Sequence, residues 1–177
     1  MMKVISNQEG QGMEIISKLE KTIEQWLKPM PHLPESARKW IAINIWWLEL
    51  IGAILLAFAG LMSIGTLLVA LGISSSLFGL KLFNAMATVA GLVFLVFTGA
   101  SVAVMSMAIS PLKALKKKGW DLLFIALLIN AASIVFSAFL SMNFGVFITN
   151  IFSGAIGIAV GAYFLFEIRS HFVSVKK

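Results

Sequence analysis

Two polar side chains stand where an otherwise apolar chain could do chemistry: Glu49 and Asn130. A carboxylate at membrane depth is by default a pairing or transport group, because hydrocarbon solvates it poorly. A buried amide both donates and accepts, so it either ties neighbouring helices together or faces a ligand. Arg169, just past the last apolar run, is with the loop lysines a cation within reach of Glu49. Length argues for an interfacial Glu49. Leu50 to Ile73 is an uncharged run of 24 residues, about 36 Å as a helix against a hydrocarbon core of about 30 Å. Glu49 is therefore expected beside Trp46 and Trp47 at the inner boundary, with a polar cavity as the alternative. Asn130 lies midway along its run, with Ser133 and Ser137 following at helical spacing. An interhelical hydrogen bond is expected there, with a ligand contact as the alternative.

Other chemistries find no residues to carry them. His32 and His171 lie outside the apolar runs, which removes a bis-histidine haem from the spans. There is no cysteine, hence no disulfide framework and no thiolate metal site. No His/Asp/Glu cluster has metal-ligand spacing, and neither a glycine-rich phosphate loop nor a Ser/His/Asp set is present. No catalytic residue, metal or cofactor is expected, and the chain does not read as an enzyme. The net charge of +6 would admit nucleic acid, but the basic residues flank apolar spans instead of forming one polar face. Nucleic acid is not expected as a partner.

The elements that must position these residues follow from composition and breakers. Of 177 residues 59% are hydrophobic and 12% charged, too little charge to cover a soluble domain. After Leu50–Ile73 come two further uncharged runs, 28 residues from Leu82 to Ile109 and 45 from Leu122 to Phe166. The last is long enough for two helices joined by a turn at Ser141-Met142-Asn143-Phe144-Gly145. The predicted fold is all-α: a four-helix transmembrane bundle over 35–177, with helices near 41–73, 82–110, 119–140 and 145–168.

Charge fixes the expected orientation. Thirteen of the 14 basic residues fall before the first span, between the second and third, or after the fourth; Lys81 alone lies on the other side. Basic loops stay cytoplasmic, so both termini are expected inside, in the inner (plasma) membrane, with Trp40, Trp46, Trp47 and Trp120 at that boundary. Lys113, Lys116, Lys117 and Lys118, between spans two and three, are candidate contacts to anionic lipid headgroups.

Ahead of the bundle, 1–12 reads as a mobile polar tail and 13–28 as an amphipathic helix. Ile15, Ile16, Leu19, Ile23, Trp26 and Leu27 form its stripe, and Glu14–Lys18 and Glu24–Lys28 are supportive i,i+4 pairs. A proline-rich linker, 29–34, follows, and Pro34 with Glu35 suits the opening of the next helix. The stripe fits the inner leaflet, a protein partner or a second copy.

Small residues mark the expected packing faces: Ser153, Gly157 and Gly161 on the last span, Gly99, Ala103, Ser106 and Ser110 on the second, Ala53 and Ala57 on the first. Such stripes let backbones approach closely, within one bundle or at a homo-oligomer seam.

Two resemblances can be set beside these readings. Leu33-Pro34-Glu35 through Trp40, Lys117-Lys118-Gly119-Trp120-Asp121-Leu122-Leu123 and Tyr163-Phe164-Leu165-Phe166-Glu167-Ile168-Arg169 give a layout that resembles small four-span bacterial membrane proteins. That resemblance brings no activity with it. Glu49-Leu50-Ile51-Gly52 is similar to the segment around the membrane-embedded glutamate of small multidrug resistance transporters, which also have four spans. It implies transport through Glu49, although the charge bias here is far stronger than in that family. The expected function is a non-enzymatic scaffold, assembly or envelope factor, working through helix packing and the amphipathic segment. The alternative is a small transporter or channel using Glu49 and Asn130. Their geometry separates the two: one shared polar cavity for transport, an interfacial Glu49 and a neighbour-bonded Asn130 for a scaffold.

Overall fold

The computed structural model describes residues 2–74, 81–140 and 144–172, without the side chains of 2–11, 13, 69–74 and 81–87. Residues 75–80, which separate the first two expected helices, most of the turn at 141–145, and Lys176 and Lys177 lie outside the described residues. Among those described, the backbone forms five α-helices, one 3-10 turn and no strand: α1 Met2–Leu27, α2 Glu35–Ser74, α3 Lys81–Lys113, α4 Lys117–Leu140, α5 Phe144–Glu167, then the turn Arg169–His171. The last four are long and apolar enough to cross a membrane.

The helices overrun the apolar segments that announce them, because hydrogen bonding and not apolarity sets a helix end. Pro34 opens α2 and Glu35 occupies its first turn, where a carboxylate complements the helix dipole. Pro111 does not close α3, which continues through it to Lys113. The reversal comes at Leu115, whose φ of 48° is left-handed. Lys116 N–H donates back to the Pro111 carbonyl at 2.9 Å, satisfying a terminal acceptor.

The chain divides into two compact units, Met1–Pro34 and Glu35–Lys177. In the first, α1 is helical from Met2, so the expected tail at 1–12 is part of the helix. No proline interrupts it, and Gly10 and Gly12 each cost only about 1 kcal/mol relative to alanine. Glu14 and Lys18 pair at 2.8 Å, and Ile15, Leu19 and Trp26 are exposed.

In the second unit α2 packs on α3, α3 on α4 and α4 on α5, while α2 and α5 share no extended face. The close approaches set an antiparallel register. A Cβ on Gly52 would sit 3.1 Å from Met105 Cε and one on Gly60 3.1 Å from Thr98 Cγ2. Gly154 faces Ile134, and a Cβ on Gly161 would lie 3.1 Å from Leu127 Cδ1.

Packing is densest at the end holding the α3–α4 turn. Leu112, Trp120, Phe124 and Ile168 are fully buried there. The Trp120 and Phe124 rings stack 5.5 Å apart and Phe166 meets both edge-on. Trp120 Nε1 donates to the Leu165 carbonyl at 2.8 Å, joining α4 to α5. Gly119 is required at this point, since a Cβ would lie 2.8 Å from Leu112 N.

Of the expected small-residue faces, only parts pack within the bundle; an oligomer seam concerns the rest. Ser153 and Gly157 are exposed; the Ser153 hydroxyl donates to its own helix at the Thr149 carbonyl, 2.7 Å away. The expected Gly161 does meet α4, together with Gly154, which the stripe did not include. On α3, Gly99, Ala103, Ser106 and Ser110 are likewise exposed, and the buried small residues are Thr98, Ser101 and Ala108. Each helix has small residues on more than one face, and close approach selects the face that larger neighbours flank. On α2 the expected Ala53 is buried.

Candidate functional site

Small side chains on all four helices of the second unit leave a cavity of about 440 Å³ between them. Gly52 comes from α2, Ser101 from α3, Ala126 from α4 and Gly161 from α5. Larger groups at these positions would fill the space, so the helices keep apart where their side chains are shortest. The lining is mainly apolar, with Leu127 and Phe164 among the walls.

Glu49 and Asn130 both line this cavity. Neither forms a hydrogen bond or ion pair with another described residue. The expected interhelical bond of Asn130 is therefore not made, and its side chain stays exposed. It lines a cavity walled by residues of α2, α3 and α5, none of which bonds it.

The depth of each group follows from the register. Trp46, one turn before Glu49 on α2, lies under the Lys113 ammonium, 4.1 Å from ring centroid to Nζ. Glu49 is thus one turn deeper than the basic end of α3. Asn130 is ten residues beyond Trp120 on α4, about 15 Å along the axis. The cavity runs from near the basic end toward the middle of the helices, with a carboxylate at its shallow end and an amide at its deep end.

The cations expected to reach Glu49 are held elsewhere. Lys113 sits over Trp46, Lys117 bonds Asp121 at 2.6 Å, and the Arg169 guanidinium lies 5.2 Å from the Trp120 ring centroid. Cation–π contacts of this kind are favourable by about 0.5–1 kcal/mol at exposed sites, which suffices to set a lysine rotamer. Glu49 has no fixed counter-ion among the described residues. Two of the four central lysines, Lys113 and Lys117, are engaged within the protein; Lys116 and Lys118 are not.

A second constellation joins the first and last helices of the unit and escapes a reading by spacing. Arg38 Nη2 bonds Glu35 at 2.7 Å, and its Nε lies 3.9 Å from Glu167 Oε2, a carboxylate that is itself buried. His171 Nε2 approaches Glu35 at 3.5 Å. Arg38 Nε and His171 Nε2 are buried without a hydrogen bond. The signal available in the sequence is Glu167, an acid placed before Arg169 at the end of an apolar run, where solvated charge is unremarkable. Only the fold brings it opposite Arg38. These four residues tie α2 to the α5 terminus at the base of an otherwise open seam.

No protein-family model, no curated protein and no solved structure matches the chain.

Proposed function

We propose that this is a polytopic membrane protein whose α2–α5 cross a bilayer, and that it binds and carries a small, largely apolar solute in the cavity between them. The outer faces support the membrane assignment. Ile54, Leu55, Phe58, Leu61, Phe152 and Ile156 are all at least 60% exposed, a surface that water would not tolerate and lipid would solvate. The distribution of basic residues supports cytoplasmic termini, with the α3–α4 turn on the same side.

The observation that carries the solute reading is that Glu49 and Asn130 line one cavity while bonding to no other described residue. Neither group is spent on a structural bond: Asn130 is exposed and Glu49 half-buried at the cavity, so both remain able to bond an occupant. A solute bearing a donor or positive charge would meet Glu49, and Asn130 would orient it at the deeper end. The cavity volume falls within the usual range for a small-molecule site.

The chain lacks cysteine, so single cysteines at positions 49 and 130 test the reading directly. Membrane-impermeant thiol reagents applied to oriented vesicles are expected to reach both positions through one compartment, and modification at 49 is expected to slow modification at 130. Position 49 reacting from the cytoplasmic side at the rate of an open loop, with 130 inert, would refute the shared cavity. A scaffold or assembly role is the second reading, favoured by α1. It forms its own compact unit and exposes Ile15, Leu19 and Trp26, a surface suited to the inner leaflet or to a protein partner.

A further inference from the structure

The fold sorts the four central lysines. Lys113 lies over Trp46 and Lys117 bonds Asp121, whereas Lys116 and Lys118 make no such contact and both line a cleft of about 360 Å³ beside the α3–α4 turn. The cleft is separate from the central cavity and has no residue in common with it. Its other walls are Met107, Ser110, Pro111 and Leu122.

The arrangement grades from charge to hydrocarbon along the helix direction. Lys116 and Lys118 sit at the turn with the exposed Ser110 hydroxyl one helical turn before Lys113, and Met107 and Leu122 continue from there along α3 and α4. Met107 is 58% exposed, and Pro111 keeps the wall free of one backbone donor. Two ammonium groups over an open apolar slope match a phosphodiester on an acyl chain and match little else. A soluble anion would leave the slope in contact with water, and a neutral lipid would leave the lysines uncompensated.

We propose that this cleft is a binding site for one anionic phospholipid, its phosphate held by Lys116 and Lys118 with a hydrogen bond from Ser110, and an acyl chain lying against Met107 and Leu122. The proposal rests on the assignment of α2–α5 to a bilayer and is independent of any solute in the central cavity.

The test uses the full-length protein in neutral detergent, titrated separately with short-chain phosphatidylglycerol, short-chain phosphatidylcholine and glycerol phosphate, with the thermal unfolding midpoint as readout. Phosphatidylglycerol is expected to raise the midpoint at concentrations where the other two do not, and the effect should shrink as salt rises. The double variant K116Q/K118Q should bind phosphatidylglycerol about 30-fold more weakly, from the contribution of two lysines near a lipid surface. K113Q/K117Q, altered at the two engaged lysines, should retain the wild-type response. Equal stabilisation by phosphatidylcholine, an unchanged response in K116Q/K118Q, or a full response to glycerol phosphate would each overturn the proposal. Retention of the protein in membranes after alkaline washing, measured in parallel, reports on the bilayer assignment alone. Retention without a phosphatidylglycerol preference would sink the lipid site and leave that assignment standing.

Discussion

At the level of single residues, the side chain with the most structural consequence is Trp120. It is 1% exposed, stacks on Phe124, receives Phe166 edge-on and donates to the Leu165 carbonyl. Replacing it with phenylalanine keeps most of the ring contact and deletes the donor, so Trp120→Phe is expected to cost about 1 kcal/mol. Trp120→Ala also empties the ring volume and is expected to cost about 3–5 kcal/mol. Denaturant unfolding in mixed micelles would measure both, and a phenylalanine variant as damaged as the alanine one would show that the indole hydrogen bond dominates. The tryptophan was legible in the sequence only as a boundary residue, since a ring flanked by Lys117, Lys118 and Asp121 reads as interfacial. Asn130 shows the converse. Its mid-span position is plain from the sequence, but its lack of a partner depends on which way α4 is rotated.

Between helices, glycine decides the fit, and two glycines three residues apart make opposite predictions. A methyl at Gly154 runs into the branched end of Ile134, whereas nothing lies within 4 Å of a Cβ placed on Gly157. Gly154→Ala is expected to destabilise the α4–α5 pair by about 1–3 kcal/mol through overpacking. Gly157→Ala is expected to be neutral or to stabilise by up to about 1 kcal/mol through backbone entropy. Thermal midpoints of the two variants in one detergent check the ordering; the reverse ordering would mean that Gly157 faces a second copy of the chain. The four long apolar helices were legible because an uncharged run of twenty residues has few alternatives. Their rotation was not. In a soluble helix the polar side marks the outside, but both sides of α5 are apolar and both carry small residues, so spacing alone could not tell the 153/157 face from the 154/161 face.

For the molecule as a whole, the division at Pro34 has a direct test. Removal of residues 1–34 is expected to leave the unfolding midpoint of Glu35–Lys177 within about 3 °C of the full chain, as independent units require. Tryptophan fluorescence during heating would follow it, and loss of the cooperative transition would show that α1 is part of the bundle's fold. The four long apolar helices and the linker could be read from charge and proline, but the central cavity could not. It depends on Gly52, Ser101, Ala126 and Gly161 arriving at one level from four helices, a coincidence of register that no single segment reveals.

The open seam between α2 and α5 also bears on how the chain is made. Among the described residues every extended helix–helix face joins consecutive elements, so each helix can settle on its predecessor as soon as it leaves the ribosome. No early helix has to wait for a late one to cover its length. The contacts of Arg38 with Glu167 and of His171 with Glu35 are different: they bring the two ends of the bundle together and can form only when α5 is complete. Assembly of this protein therefore ends with a local electrostatic step at the base, after its apolar packing is already in place.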